Sequence, residues 1–545
     1  MADGGFALSD DPVGALADAL RACREKAALR PRHGHGPRVL FANLRGGSFL
    51  LTFELMLAHR LRLDGSEVEF LSCRNLPICN NRSIDRPEPE FICEGCASTT
   101  QRLAGALDFP VRSIKDFRRP GQVQATHESL RHLSTRECFD FSHRGLPVGR
   151  LCEVSVSRHL CRDAIADDDF ATETWRKYLA SAITLIDAYE ALLNETSYDL
   201  IVAPNGDFFW YNLLYAVAER RGVRVASYES GFLPGYCGSG GYWSFDNRYR
   251  VSRLRFADGW NAWRDEPLSD AENARLDAWI REQYRDSFYN PNPVDDPAAI
   301  REMLHLHPAR PVVTLFSNVS WDGAAVDRRT VFFSMMEWVE QTVAHLAGAD
   351  VQVVIRPHPA EDMVMEGNRS RESVAGHLAS KFDPLPANVR IVRNDDRVSS
   401  YELLRMSDAV VAYTSKIGLE ALLHGVPAII AGDAHFANRG FGRHPASVDE
   451  YLRWVESPAD LSAPTKHEIE IARRYLYFFL NRTHLQLRFF ETSRPFEISR
   501  LCISSLDELA EGRIPELDLI VDGLLNNRPI LAPREADSLP VADAV

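Results

Sequence analysis

No run of about 18 apolar residues occurs anywhere in the 545-residue chain, and a helix that crosses the bilayer needs about 20. A basic excess is missing too. Against 62 Lys and Arg stand 76 Asp and Glu, a formal net charge of −14. That argues against a nucleic-acid binder, which needs a basic face to displace phosphate counterions, but it leaves room for a local basic pocket. Cysteine is sparse. Ten in so long a chain do not make a disulfide scaffold, and thiols or metal ligands are the better reading. The opening MADGGFALSDDPVGALADAL is acidic and has no basic n-region of the secretory kind, so the expected location is the cytoplasm. Internal repeats and low-complexity blocks are not evident.

What the chain does have is an ordinary globular composition, 45% hydrophobic and 25% charged, and a length suited to two domains of roughly 200–250 residues. Residues 1–36 read as a short helix and a flexible segment containing Pro31, Gly34 and Gly36. Then RVLFAN (38–43), a turn at Arg45-Gly46-Gly47, helical spacing from Phe49 to Leu63 and EVEFLS (67–72) make a first βα series. A polar stretch rich in Cys, Pro and Asn interrupts it at 73–98. The series resumes with an amphipathic helix at 172–196, DLIVAPNG (199–206), a helix near 208–221 and VRVASYESG (223–231). Pro291, Pro293, Pro297, Pro308 and Pro311 mark a break. A second series follows: VVTLFS (312–317), VQVVIR (351–356), VRIV (389–392), AVVAYT (409–414) and PAIIAG (427–432), with helices near 332–347, 399–406 and 416–424. Alternation of this kind implies parallel sheets. The expected fold class is therefore α/β, with two Rossmann-like doubly wound domains. The segments are 1–36, a first domain at 37–290 with the Cys-rich insertion 73–98, a second at 291–490, and C-terminal helices and tail at 491–545.

Several residues fall where such sheets bind ligands. Arg356-Pro357-His358-Pro359 follows a buried strand, at the carboxyl edge of the sheet. The prolines stiffen the loop around His358, and Arg356 offers a fork of donors suited to phosphate; the alternative is a turn with an incidental histidine. Thr414 and Ser415 precede a helix whose start can attract an anion or be only N-capped. Lys416 and Gly418 would allow close approach there, and Glu420 can face a ribose hydroxyl or solvent. Glu229, with Gly231 for a sharp turn, can take a proton from an acceptor hydroxyl; otherwise it is a surface glutamate, and Asp207 is the next candidate base. Cys73, Cys79, Cys93 and Cys96 can supply a tetrahedral sulfur site for structural zinc, with an iron–sulfur cluster a lesser option, or are four unrelated thiols. Asp167-Asp168-Asp169 reads as a helix start, His435 and Arg443 as residues at the cleft, and the aromatics of 474–492 as core.

In this order, acidic-x-Gly, His-Pro and a hydroxyl pair resemble the motifs of the bacterial GT-B sialyltransferases and the capsule Kdo transferases. TSKIGLEALLHGVPAIIAG (414–432), with VVIRPHPAED (353–362) and ESGFLP (229–234), resembles the capsule polysaccharide biosynthesis glycosyltransferases most. The likeness implies two domains facing a cleft and transfer of a sugar from a nucleotide-sugar, a CMP-sugar by preference, to a growing surface or capsular glycan or glycolipid. Glu229 would be the catalytic base, His358 would bind the donor phosphate and help the nucleotide leave, and Thr414 and Ser415 would also hold the phosphate. No metal is required for catalysis if His358, Thr414 and Ser415 neutralise the leaving phosphate; zinc on the four cysteines would be structural, the net charge argues against a nucleic-acid partner, and peripheral association with the inner membrane is left open. Two features depart from the family pattern: one carboxylate, Glu229, stands beside Ser230 where the family pairs two acids, and the insertion 73–96 is extra. The hexosyl, Kdo or sialyl nature of the sugar stays open. The other readings are a teichoic-acid-type polyol-phosphate transferase, a non-catalytic nucleotide or sugar binder, and a metal-dependent regulatory protein.

Overall fold

Strands LIVAP, VVTLF and QVVIR are buried at all five positions each, as strands covered on both faces must be. The computed structural model describes every residue except 1–10, 33–35, 75, 82–89, 120, 164, 166–167, 232–240, 249, 284–292, 366–367 and 535–545, and the backbone alone at 90–92, 364–365 and 394. Residues 1–10 and 33–35 of the expected N-terminal helix and segment (its helix is Pro12–Glu25), part of ESGFLP, Cys237, Asp167, Pro291 and the tail EADSLPVADAV thus lie outside the described residues.

In the first sheet, β1 (Arg38–Phe41), β2 (Glu67–Ser72), β3 (Val111–Ser113), β4 (Leu200–Pro204) and β5 (Arg224–Ser230) are parallel, in the order β3-β2-β1-β4-β5. β6 (Tyr242–Asp246) adds antiparallel to β5, with Glu229 opposite Ser244. The second sheet holds β7 (Val312–Phe316) and β8 (Gln352–Arg356). After a short hairpin, β9 (Val364–Met365) with β10 (Asn368–Arg369), come β11 (Val389–Ile391), β12 (Ala409–Ala412) and β13 (Ala428–Ile430). Its five strands are all parallel, in the order β11-β8-β7-β12-β13. The fold is α/β with two Rossmann-like domains, as the alternation of strands and helices implied. Strand order reverses between β1 and β4 and between β7 and β12, the switch points where such sheets take ligands.

Packing crosses a cut at 290. Trp260, Trp263 and Leu276 share a core with β7, β12 and the helix Lys466–Asn481, so the chain enters the second domain before the proline cluster. It then returns: β14 (Leu485–Gln486) pairs with β6, and Leu506, Leu517, Ile520 and Leu524 close over Phe49, Phe53 and Leu57. This explains the helix Ser48–Leu63, apolar almost all round and buried almost all round, which lies between sheet and C-terminal segment. A last hairpin, β15 (Phe490–Arg494) with β16 (Glu497–Leu501), precedes that segment. Tyr475, Tyr477, Phe478 and Phe479 are core residues. Asp168 caps the helix Asp169–Glu195 through Ala171 N. Among the described residues no helix is long and apolar enough to cross a membrane.

Candidate active site between the two sheets

The carboxyl edges of both sheets open on one cavity of about 1010 Å³. From the first domain come the Arg45-Gly46-Gly47 turn after β1, Asn205 and Asp207 after β4, and Glu229 on β5. From the second come Asp322 to Ala324 after β7, Thr414 after β12, and Asp433 to His435 after β13. Residues from 93 (Glu229 to Asp322) to 390 (Arg45 to His435) positions apart in sequence meet because each follows or ends a strand on the facing edge.

Glu229 lies on the cavity wall with Oε1 accepting from Ser230 N at 3.0 Å. Behind it, Tyr228 donates to Glu54 Oε1 at 2.8 Å. Burial pushes the Glu54 carboxyl up to about 8, opposed by hydrogen bonds from Tyr228 and Asn43, so this acid is a neutral prop near neutral pH. Asp207, the second candidate base, lies between Arg253 at 3.8 Å and Arg328 at 3.7 Å. A Cβ at Gly323 would come within 2.9 Å of Asp207 Oδ2. Asp207 thus joins the two domains, and Gly323 lets them approach.

On the opposite wall, Thr414 ties down the loop that follows β7. Its Oγ1 lies 3.0 Å from Asn318 Oδ1 and 2.6 Å from the Ala324 carbonyl, and its N–H donates to Asn318 Oδ1 at 3.2 Å. His435 reaches Tyr475 OH at 2.8 Å. Burial, with Arg439, Arg255, Arg328 and Lys416 adding, lowers its pKa to about 3. The imidazole therefore stays neutral, on a wall where Arg328 is the basic lining residue and Asp322 and Asp433 the acidic ones.

The structure separates the other expected residues from the cavity lining. Arg356 is buried, donating to Ser400 Oγ at 3.3 Å and the Arg393 carbonyl at 3.4 Å, and burial lowers its pKa to about 10. These contacts hold its guanidinium within the second domain, which corrects the expectation of a phosphate fork. His358 Nδ1 accepts from Ala360 N at 3.1 Å, capping the turn Pro359–Asp362; burial lowers its pKa while Asp322, a cavity residue, raises it. Ser415 also sits one position behind the lining and accepts from Ile417 N at 3.5 Å. Lys416 pairs with Glu420 and lies 4.6 Å from the Trp279 ring centroid. Glu420 is buried in that pair, a placement that corrects the ribose assignment. A Cβ on Gly418 would sit 2.6 Å from Ile430 and 3.0 Å from Ala412, so this glycine serves helix-on-sheet packing, which corrects the idea of ligand approach. Arg443 contacts Ser462 and is not a lining residue.

The cysteines resolve differently. Cys93 and Cys96 lie one turn apart on the helix Glu90–Ala106, so their spacing is helical periodicity and not a knuckle loop. Cys96 lines the cavity, donating to the Arg45 carbonyl at 2.9 Å and accepting from Asn81 Nδ2 at 3.1 Å. Burial raises the Cys73 thiol well above its usual range, with Cys79, Cys93 and Cys96 adding to the effect. The four are neighbours, yet among the described residues no group of three or more His, Cys, Asp or Glu is arranged to hold a metal ion. The residues that sequence reasoning passed over, Arg253 on the short 3-10 turn Val251–Arg253 and Arg328 in the loop after β7 above all, have no motif to announce them.

Residues 328–469 match the family described as capsule polysaccharide biosynthesis protein. Among solved structures, the beta Kdo 2,7 transferase of Thermosulfurimonas dismutans KpsC is 14% identical, with 57% of this chain and 84% of that one covered and a TM-score of 0.32. The calicheamicin glycosyltransferase CalG4 is 13% identical (81% and 93% covered, TM-score 0.24). The UDP-GlcNAc 2-epimerase of Neisseria meningitidis is 10% identical (81% and 99%, TM-score 0.24). No curated protein matches the chain.

Proposed function

We propose that this chain, whose residues 328–469 match the capsule polysaccharide biosynthesis family, is a glycosyltransferase that moves a sugar from a nucleotide-sugar donor to a hydroxyl of a growing capsular glycan, with Glu229 as the base. The observation that carries this reading is the shared cavity. Glu229 stands on the first-domain wall, and the wall of Thr414, His435 and Arg328 belongs to the second.

The donor phosphate lies against the second wall. Its charge meets Arg328 on the lining, with Arg255 and Lys416 behind it, each beside a carboxylate. Fixed donors of this kind stabilise charge as it develops on a leaving phosphate. The acceptor hydroxyl lies by Glu229, which takes its proton as the oxygen attacks the anomeric carbon. The bond from that carbon to the phosphate oxygen breaks, and the nucleotide leaves with the electron pair. His358, with Ser415, acts from behind Asp322 and Thr414. A CMP-sugar is the donor we favour, on the likeness of the three motifs, and the acceptor's remote end is glycan or glycolipid.

Thermal unfolding with CMP, CDP, UDP and GDP tests the reading, since a ligand bound only by the folded state raises its melting temperature. A shift with CMP that disappears in His435→Ala is expected. No shift with any of the four overturns the donor site.

A further inference from the structure

Behind the interdomain cavity lies a second one, of about 1140 Å³. It is lined by the amino-terminal start of β5, the end of the helix Phe209–Arg220, the loop after β6 and the segment Ala437 to Arg439. Glu229 is five residues along β5 from Arg224, about 16 Å at the rise of a strand, so the two cavities open at opposite ends of one strand. Arg253 and Asp433 border both.

Seven of its lining side chains are arginines and two, Glu219 and Asp433, are acids. In a chain of net charge −14 this is a concentrated reversal of sign. Arg253 and Arg255 are answered by Asp327 and Asp433, and Arg248 by Asp258 at 2.8 Å. The remaining four have no carboxylate partner among the described residues. Arg220 and Arg224 donate only to the carbonyls of Arg144 and Leu524. Arg439 donates to the Arg255 carbonyl. Arg250 is half-buried, 6.0 Å from the Tyr215 ring centroid, and burial together with Arg253 lowers its pKa. Seven guanidinium groups gathered with two lining acids, and Asp207 and Asp327 acting on Arg250 from outside the lining, leave an excess of positive charge, and the arrangement is stabilised when an anion joins them.

We propose that this cavity is a binding site for an acidic oligosaccharide, whose carboxylate or phosphate groups are gripped by Arg220, Arg224, Arg250 and Arg439. The guanidinium fork matches either oxyanion with two parallel hydrogen bonds. The volume exceeds the usual range for one small ligand, about 300–1,000 Å³, and fits a chain. Among the described lining residues Tyr215 is the one aromatic ring, and Arg250 already faces it. Apolar patches from Leu146, Pro147, Leu151 and Val223 suit the carbon faces of sugar rings. That the oligosaccharide is the acceptor glycan, held some way from its reacting end, rests on the glycosyltransferase reading; the anion site itself does not.

Calorimetric titration of the full chain with hexagalacturonate, maltohexaose and tripolyphosphate tests this. Hexagalacturonate is expected to bind at low salt, weaken as salt screens the charges, and compete with tripolyphosphate, while neutral maltohexaose does not bind. Arg250→Gln is expected to weaken hexagalacturonate about tenfold, a difference of about 1.4 kcal/mol, and so is the exposed pair Arg220→Glu with Arg248→Glu, which leaves the core intact. Unchanged affinity in both variants, equal binding of maltohexaose, or binding of tripolyphosphate without hexagalacturonate overturns the proposal. Arginine-dependent binding of hexagalacturonate with no sugar transfer from any donor supports the site and sinks the transfer reading instead.

Discussion

Glu229 owes its role to one residue's position at a strand end, and its replacement isolates that role. Glu229→Gln keeps the size and the contact to Ser230 N but cannot take a proton. Turnover is expected to fall about 10²–10⁴-fold with donor affinity unchanged, because a base acts on the acceptor in the transition state. A variant that transfers sugar at the normal rate ends the assignment. His358→Ala is expected to keep the fold and weaken nucleotide binding through the loop it caps. Equal affinity for CMP in variant and parent, read by titration, removes it from the site. Beneath Glu229, Glu54 makes a pH-dependent contribution. Its folded pKa is raised to about 8 from 4.5, so the folded protein keeps a proton that the unfolded chain releases, and stability falls as pH rises through that window. Glu54→Gln removes this slope. Its unfolding free energy should gain on the parent by about 1.4 kcal/mol per pH unit between the two values; a constant difference across urea melts at several pH values rules it out.

At the scale of elements, buried runs such as LIVAP, VVTLF and QVVIR were legible, because a parallel strand covered on both faces needs continuous apolar side chains. So were the helices that alternate with them. Among the elements missed, with β3, β6 and the helix Val148–Leu160, was the helix Glu90–Ala106, hidden by cysteines whose spacing suits a metal knuckle and a helical turn equally well. β14 was invisible for another reason: two residues at a sheet edge carry no period. Of the site, residues at strand ends could be found from sequence, but not which way their side chains turn. Arg356 and His358 follow the same strand as expected, yet one guanidinium is held by Ser400 and Arg393. The turn at Gly46 shows how tightly these elements meet. Its φ is +59°, and a Cβ there would stand 2.5 Å from the Cys96 carbonyl oxygen. Gly46→Ala should therefore lower stability by about 1–3 kcal/mol, measured by chemical unfolding. A neutral result shows that the turn can move off the helix.

For the whole molecule, the C-terminal return matters more than the proline break. Leu485, Phe489, Leu517, Ile520 and Leu524 complete the first domain's core, so a chain ending at residue 481 should expose Phe49, Phe53 and Leu57. Loss of a cooperative thermal transition and binding of a hydrophobic dye are expected; a sharp transition near the parent's would show that the core does not need the return. The same double passage has a mechanical side. Two bodies joined by a single tether can swing and twist freely. Here one tether leaves the first body after β6 and another comes back after the helix Lys466–Asn481. A pair of tethers acts like the two pins of a door, leaving rotation about the line between them as the easy motion and resisting the rest. The leading tether carries Arg250, Arg253 and Arg255. Any swing that narrows the front opening must therefore tug on the rear one.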